Sequence, residues 1–235
     1  MVDAKPLKLH LGCQEKYLEG YVNIDLPPSE HTAQEVKADL YADVRTLFYA
    51  PGTVDEIRSH HMLEHFSRQE ALVLLSRFHR WLKVGGFLVT ETPDFEECIK
   101  KFLTSSRDLQ MQLARHIFGS HEAEWAYHRD YWSEDKFRFV LSELGFGDFE
   151  FHKYSNNLEQ KVPALKGTFI AKQEKLMNML GKFGFNTLPN ILCVAKKVRG
   201  QVDYYAAIKR ILEKSLVGKE KKILEVWMRE IPKEI

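Results

Sequence analysis

The side chains best suited to chemistry fall into three groups. His60, His61 and His65 cluster with Glu64, and imidazole is the best general base near neutral pH. Gly12 follows the apolar stretch Lys8-Leu-His-Leu11, and Asp25 ends Tyr21-Val-Asn-Ile-Asp25 thirteen positions after it. Strand, glycine turn, strand and acid is how an open α/β sheet grips a nucleoside, with backbone at the glycine and ribose hydroxyls on the carboxylate. The third group is the polar and aromatic stretch from His121 to Trp132, which holds His128 and Arg129 ahead of a helix capped by Ser133. Each group also has a plain structural reading. His65 could pack at the start of the following helix, and the aromatic stretch could pack on the sheet edge. The histidine spacing invites a zinc site, but there is no HExxH and no cysteine nearby, so no metal is expected.

Strands alternating with crossovers must bring these groups together. Residues 7–11 and 21–25 read as the first two strands. The seven residues 14–20 that fill the gap before the second strand make at most two turns, so the first crossover helix is shortened or absent. Residues 37–40 suggest a third strand, 43–47 a turn or short helix, and 54–60 a strand running into the histidines. A helix is expected over 67–82 with Leu72, Leu75, Phe78, His79 and Leu82 on one face, capped by Lys83-Val-Gly-Gly86. Residues 87–92 form the next strand, 95–118 a largely helical segment, and 133–144 another helix. Strands follow at 147–154 and 190–198, with a polar loop and an amphipathic helix near 169–180 between them. The pattern predicts a mostly parallel sheet. Residues 203–231 read as two helices broken at Gly218.

The bulk numbers narrow the function. At 235 residues the chain suits one α/β domain, expected over 1–200 with an insertion at 155–187, followed by a helical extension over 201–235. A net charge of +1 offers no general pull toward nucleic acid. No apolar run approaches the roughly 20 residues of a membrane span. The start of the chain lacks an apolar signal core, and three widely spaced cysteines form no disulfide framework. A cytoplasmic setting is expected. Residues 196–235 hold eleven Lys/Arg and six Asp/Glu, a local net of +5. Such a tail packs back on the domain, builds a homodimer, or lies peripherally on a membrane surface.

A more specific signal is a resemblance. Val54-Asp-Glu-Ile-Arg-Ser-His-His-Met-Leu-Glu-His65, a helix, and then Leu82-Lys-Val-Gly-Gly-Phe-Leu88 resemble class I S-adenosylmethionine-dependent methyltransferases of the type 11 kind, and His128 to Phe146 resembles their late helix and strand. The resemblance covers about residues 7–198 and implies a Rossmann-like fold, a mostly parallel sheet with helices on both faces, and S-adenosyl-L-methionine as cofactor. Through it, Leu11, Gly12 and Cys13 would line the cofactor site with backbone, with His10 and Asn23 on the same strands. Asp25 would bind the ribose diol, and Asp39 with Leu40 would sit beside the adenine. Ser59, His60 and His61 would face the methionine part. His61, His65 and His128 are the candidate catalytic bases, and Tyr127 and Arg129 the acceptor contacts. Gln14 stands where the family has a second glycine, and the clipped crossover removes the helix terminus a pyrophosphate needs. S-adenosylmethionine carries no phosphate. The expected reaction is methyl transfer to a small-molecule or glycan acceptor, at oxygen, with surface-polysaccharide biosynthesis as the analogous setting. The competing reading is a degenerate methyltransferase fold that binds a partner. An NAD oxidoreductase is disfavoured, because GxGxxG is missing and the acid comes thirteen rather than about 20 residues after the glycine.

Overall fold

The computed structural model describes residues 5–31, 35–154 and 188–235. Seven strands form one sheet in the order β3-β2-β1-β4-β5-β7-β6. They are β1 (Lys8–Leu11), β2 (Val22–Asp25), β3 (Leu40–Tyr41), β4 (Val54–His60), β5 (Leu82–Pro93), β6 (Phe146–Tyr154) and β7 (Asn190–Lys197). The first five are parallel, and β7 runs antiparallel between β5 and β6. The chain starts in the middle, works outward to β3 and returns to β4 on the other side of β1. The β1/β4 boundary is therefore the switch point, and ligands of such sheets bind beyond the carboxyl ends of the strands there.

No helix links β1 to β2. A single buried amide substitutes for it. Asn23 on β2 accepts from the Leu18 N–H at 2.9 Å and donates to the Leu18 carbonyl at 2.9 Å, so the crossover backbone is satisfied without a helical ladder.

Helix α1 (Arg68–Trp81) opens with a capping box between Ser67 and Glu70 and buries Leu72, Leu75, Phe78 and Trp81. It does not end on a glycine cap. Leu82 is already extended and pairs with Val54, so the chain passes straight from helix to strand. The two glycines instead shape an irregularity in β5. Gly85 takes a φ of +86°, and a Cβ on Gly86 would stand 2.9 Å from the Asp55 carbonyl oxygen. The third strand also moves, from the expected 37–40 to Leu40–Tyr41. The segment 95–118 is two helices, α2 (Phe95–Thr104) and α3 (Arg107–Phe118), parted where Ser105 and Ser106 turn extended. The Ser105 hydroxyl donates to the Lys101 carbonyl at 2.6 Å and helps close α2. The polar loop and amphipathic helix expected between β6 and β7 lie outside the described residues.

Helix α4 (Glu134–Glu143) is followed, after the last strands, by α5 (Tyr204–Glu213) and α6 (Lys221–Arg229). Ala207, Ile208, Ile211, Leu212, Met228 and Ile231 join the same core as the sheet and α1. The C-terminal helices thus pack back on the domain. His79 of α1 seals the seam, with Nδ1 2.8 Å from the Tyr204 hydroxyl. Burial, helped by the nearby Lys197 ammonium, lowers its pKa from 6.5 to about 4. Among the described residues no helix is long and apolar enough to cross a membrane.

Two outcomes follow for stability. Truncating fully buried Ile208 to Ala removes core volume and should cost about 2–5 kcal/mol, read as a lower denaturant midpoint. His79 takes up its proton near 6.5 when unfolded but only near 4 when folded, so stability should fall as pH drops through that window. His79→Gln should flatten that part of the thermal stability profile.

Candidate functional site

A cavity of about 600 Å³ opens at the β1/β4 switch point. Its floor is the glycine turn. Gly12 has a φ of +65° and donates to the Ile24 carbonyl at 2.9 Å, while a Cβ there would press on Met62 at 3.3 Å. The turn continues through Gln14, itself left-handed at φ +48°. That conformation aims the Gln14 N–H at Asp25 Oδ2, 2.6 Å away, and the Leu26 N–H holds Oδ1 at 2.7 Å. His31 Nε2 lies 3.3 Å from Oδ1. Asp25 is thus fixed in orientation by backbone donors and lines the cavity.

A second carboxylate stands beyond β3. Asp43 lines the cavity, caps the turn Val44–Thr46 and pairs with Arg45 at 2.6 Å. The Arg45 hydrogen bond holds its carboxyl below the usual range. Asp39 does not fill this place. It precedes β3, away from the carboxyl end, and its Oδ2 accepts from the Asn23 N–H at 2.8 Å while Oδ1 takes the Tyr17 hydroxyl at 2.8 Å. Leu40 is exposed and outside the cavity lining. Asp43, rather than Asp39 or Leu40, lines the cavity on this side, because β3 begins later than its residue pattern suggests.

Other expected cofactor contacts form a layer beneath the cavity. His10 is fully buried, its Nδ1 3.0 Å from Asn23 Oδ1. Burial and the neighbouring His60 lower its pKa to about 3. Asn23 is occupied by Leu18, Tyr21 and Asp39. The Cys13 thiol is buried against the Lys37 carbonyl and pushed up to about 12 by burial and Asp25. The Ser59 hydroxyl donates to Thr90 at 2.9 Å, and His60 Nδ1 meets Glu91 at 2.9 Å across β4 and β5. These five side chains support the site without lining it; Leu11, Gly12 and Asp25 line it.

The polar wall is built where β4 ends. His61 takes a φ of +45°, a costly conformation outside glycine, and lies between two carboxylates. Its Nδ1 is 3.1 Å from Glu64 and its Nε2 3.3 Å from Glu91. Burial opposes its charge, but the two acids outweigh that and raise its pKa to about 9. An imidazolium with both nitrogens engaged is no general base, so His61 leaves the set of candidate bases. His65 lines the cavity and faces His128 edge-on at 4.7 Å. Burial lowers the pKa of His128 to about 4. Its loop is moored by the Glu64 carbonyl, which accepts from Arg129 N–H at 2.7 Å.

Sheet order, glycine turn and paired acids coincide with an independent finding: residues 9–90 match a family model described as a methyltransferase domain. That stretch, from β1 into β5, is similar to a methyltransferase domain. No curated protein matches the chain. Among solved structures, the domain is similar to a SAM-dependent methyltransferase from Archaeoglobus fulgidus at 16% identity, covering 81% of this chain and 86% of that one, with a TM-score of 0.49. A SAM-dependent methyltransferase from Methanosarcina mazei is 13% identical over 83% of this chain and 94% of its own, with a TM-score of 0.48. Phosphoethanolamine N-methyltransferase 2 of Haemonchus contortus, in complex with S-adenosyl-L-methionine, is 14% identical over 85% of this chain and 50% of its own, with a TM-score of 0.45.

The mouth of the cavity is spanned by residues that periodicity could not single out. Trp125 donates its indole N–H to the Glu30 carbonyl at 2.6 Å and packs on His31 at 5.2 Å. Arg129 lines the cavity but its guanidinium is paired with Glu124 at 2.6 Å. Tyr127 is exposed, stacks on His121 at 4.2 Å and stands outside the cavity lining. The signal for Trp125 was its aromatic side chain within the histidine-rich stretch; its partner across the mouth lies 95 residues away. Replacing Gly12 with Ala should cost roughly 1–2 kcal/mol from its left-handed backbone, read as a lower thermal midpoint.

Proposed function

We propose that this domain transfers a methyl group from S-adenosylmethionine to a hydroxyl of a small molecule or glycan. The observation that carries the reading is the pair Asp25 and Asp43, presented to one cavity from the carboxyl ends of adjacent strands. The residues fit the cofactor. Asp25 suits a ribose diol, Asp43 an exocyclic adenine amine, and the side-chain-free Gly12 lets backbone approach the ligand. S-Adenosylmethionine supplies the methyl group as an electrophilic sulfonium. The chain's own residues align it, exclude water and receive the acceptor beside His65, with His128 packed behind that ring. Burial leaves His128 neutral at physiological pH, so it presents a lone pair rather than a charge. Three buried, unpaired cysteines support a reducing compartment.

Calorimetric titration of the purified chain with S-adenosylhomocysteine should give micromolar binding. Asp25→Ala or Asp43→Ala should weaken it at least tenfold, and Asp39→Ala should act on stability with a smaller effect on affinity. No binding at millimolar ligand would leave the fold as a partner-binding module instead.

A further inference from the structure

The Glu64, His65 and His128 side chains are more than a polar wall. Each offers one ligand atom, and these atoms lie within 4.8 Å of one another. We propose that Glu64, His65 and His128 bind a divalent transition metal of the zinc class, with an open position reachable from the cavity. Two buried atoms in this cluster, Glu64 Oε2 and His65 Nδ1, have no hydrogen-bond partner, and buried polar atoms seldom stay so. The third ligand is pre-set. His128 Nδ1 stands 3.2 Å from the Ile117 carbonyl, which can only accept, so the ring proton sits on Nδ1 and the Nε2 lone pair is left to coordinate.

The surroundings match what metal ligands require. A carbonyl fixes the His128 tautomer, and His61 holds the other Glu64 oxygen at 3.1 Å. Two imidazoles and one carboxylate suit zinc with a water or substrate oxygen in the remaining position. Neighbouring tetrahedral ligands lie about 3.4 Å apart, so small rotamer adjustments close the cluster. His65 lines the cavity, so an oxygen ligand such as an acceptor hydroxyl could reach the metal. The site stands on these three residues and does not depend on the cofactor reading.

The test is calorimetric titration of the chelator-treated full chain with Zn²⁺, with Co²⁺ absorption as a spectroscopic readout. One equivalent should bind, with visible cobalt bands of a low-coordinate nitrogen and oxygen site. His65→Ala and His128→Ala should each weaken zinc at least tenfold, while exposed His121→Ala should change nothing. Thermal unfolding of each variant shows whether it is folded, and His128→Asn serves if His128→Ala is not. Absence of stoichiometric zinc, or affinity unchanged in the folded His65 and His128 variants, would overturn the site. S-Adenosylhomocysteine binding is titrated separately on the same metal-free protein. Zinc lost with that binding retained defeats the metal alone; the reverse defeats the methyltransferase reading alone.

Discussion

Two carboxylates buried at the ends of β4 and β5 impose the central constraint on this protein. Glu64 and Glu91 are both nearly inaccessible, and an unpaired buried charge is expensive. His61 resolves this by standing between them as an imidazolium. To reach both, its backbone must leave the strand in a left-handed conformation. That turn carries the chain into Leu63–His65, where the Glu64 carbonyl anchors the distant loop at Arg129 and Asp130. One charge balance thereby places the histidine wall and the loop that carries Trp125 and Arg129. His60 contributes a further contact to Glu91 from beneath.

A different economy operates on the other side of the switch point. The β1–β2 crossover is too short for a helix, and its backbone would be left wanting partners. Asn23 meets that need from within the sheet, and His10 and Asp39 hold its side chain in place. All three looked like ligand contacts because they are polar residues on strands that point toward a nucleotide site. Their polarity serves the scaffold. The residues that reach the cavity come two positions later at Gly12 and Asp25 and four later at Asp43.

This separation marks how far the residue pattern could be read. The strand of residues 54–60, the helix beginning at Ser67, the break at Gly218 and the clipped first crossover are local features and were legible. So was Asp25, since a strand ending in an acid after a glycine turn has a distinctive form. The choice between Asp39 and Asp43 depended on where a two-residue strand begins, which β2 decides by pairing Leu40 with Ile24. The Gly85-Gly86 pair looked like a helix cap because it follows one. It serves the sheet because Val54 captures Leu82 first. The distinct fates of His61 and His65 were invisible for the same reason, since Glu91 arrives from another strand.

The Trp125 bridge bears on traffic. Among the described residues, the hydrogen bond joining the loop that carries it to the Pro28–Glu30 turn is a single neutral one, from the indole to the Glu30 carbonyl. Such a bond contributes about 0.5–1.5 kcal/mol net, so parting it alone would leave the open form within roughly tenfold of the closed one. The floor and wall of the cavity, by contrast, are fixed by strands, buried charges and backbone donors. A rigid vessel with a weakly fastened cover can open locally at its mouth, while Asp25 and Asp43 keep their places.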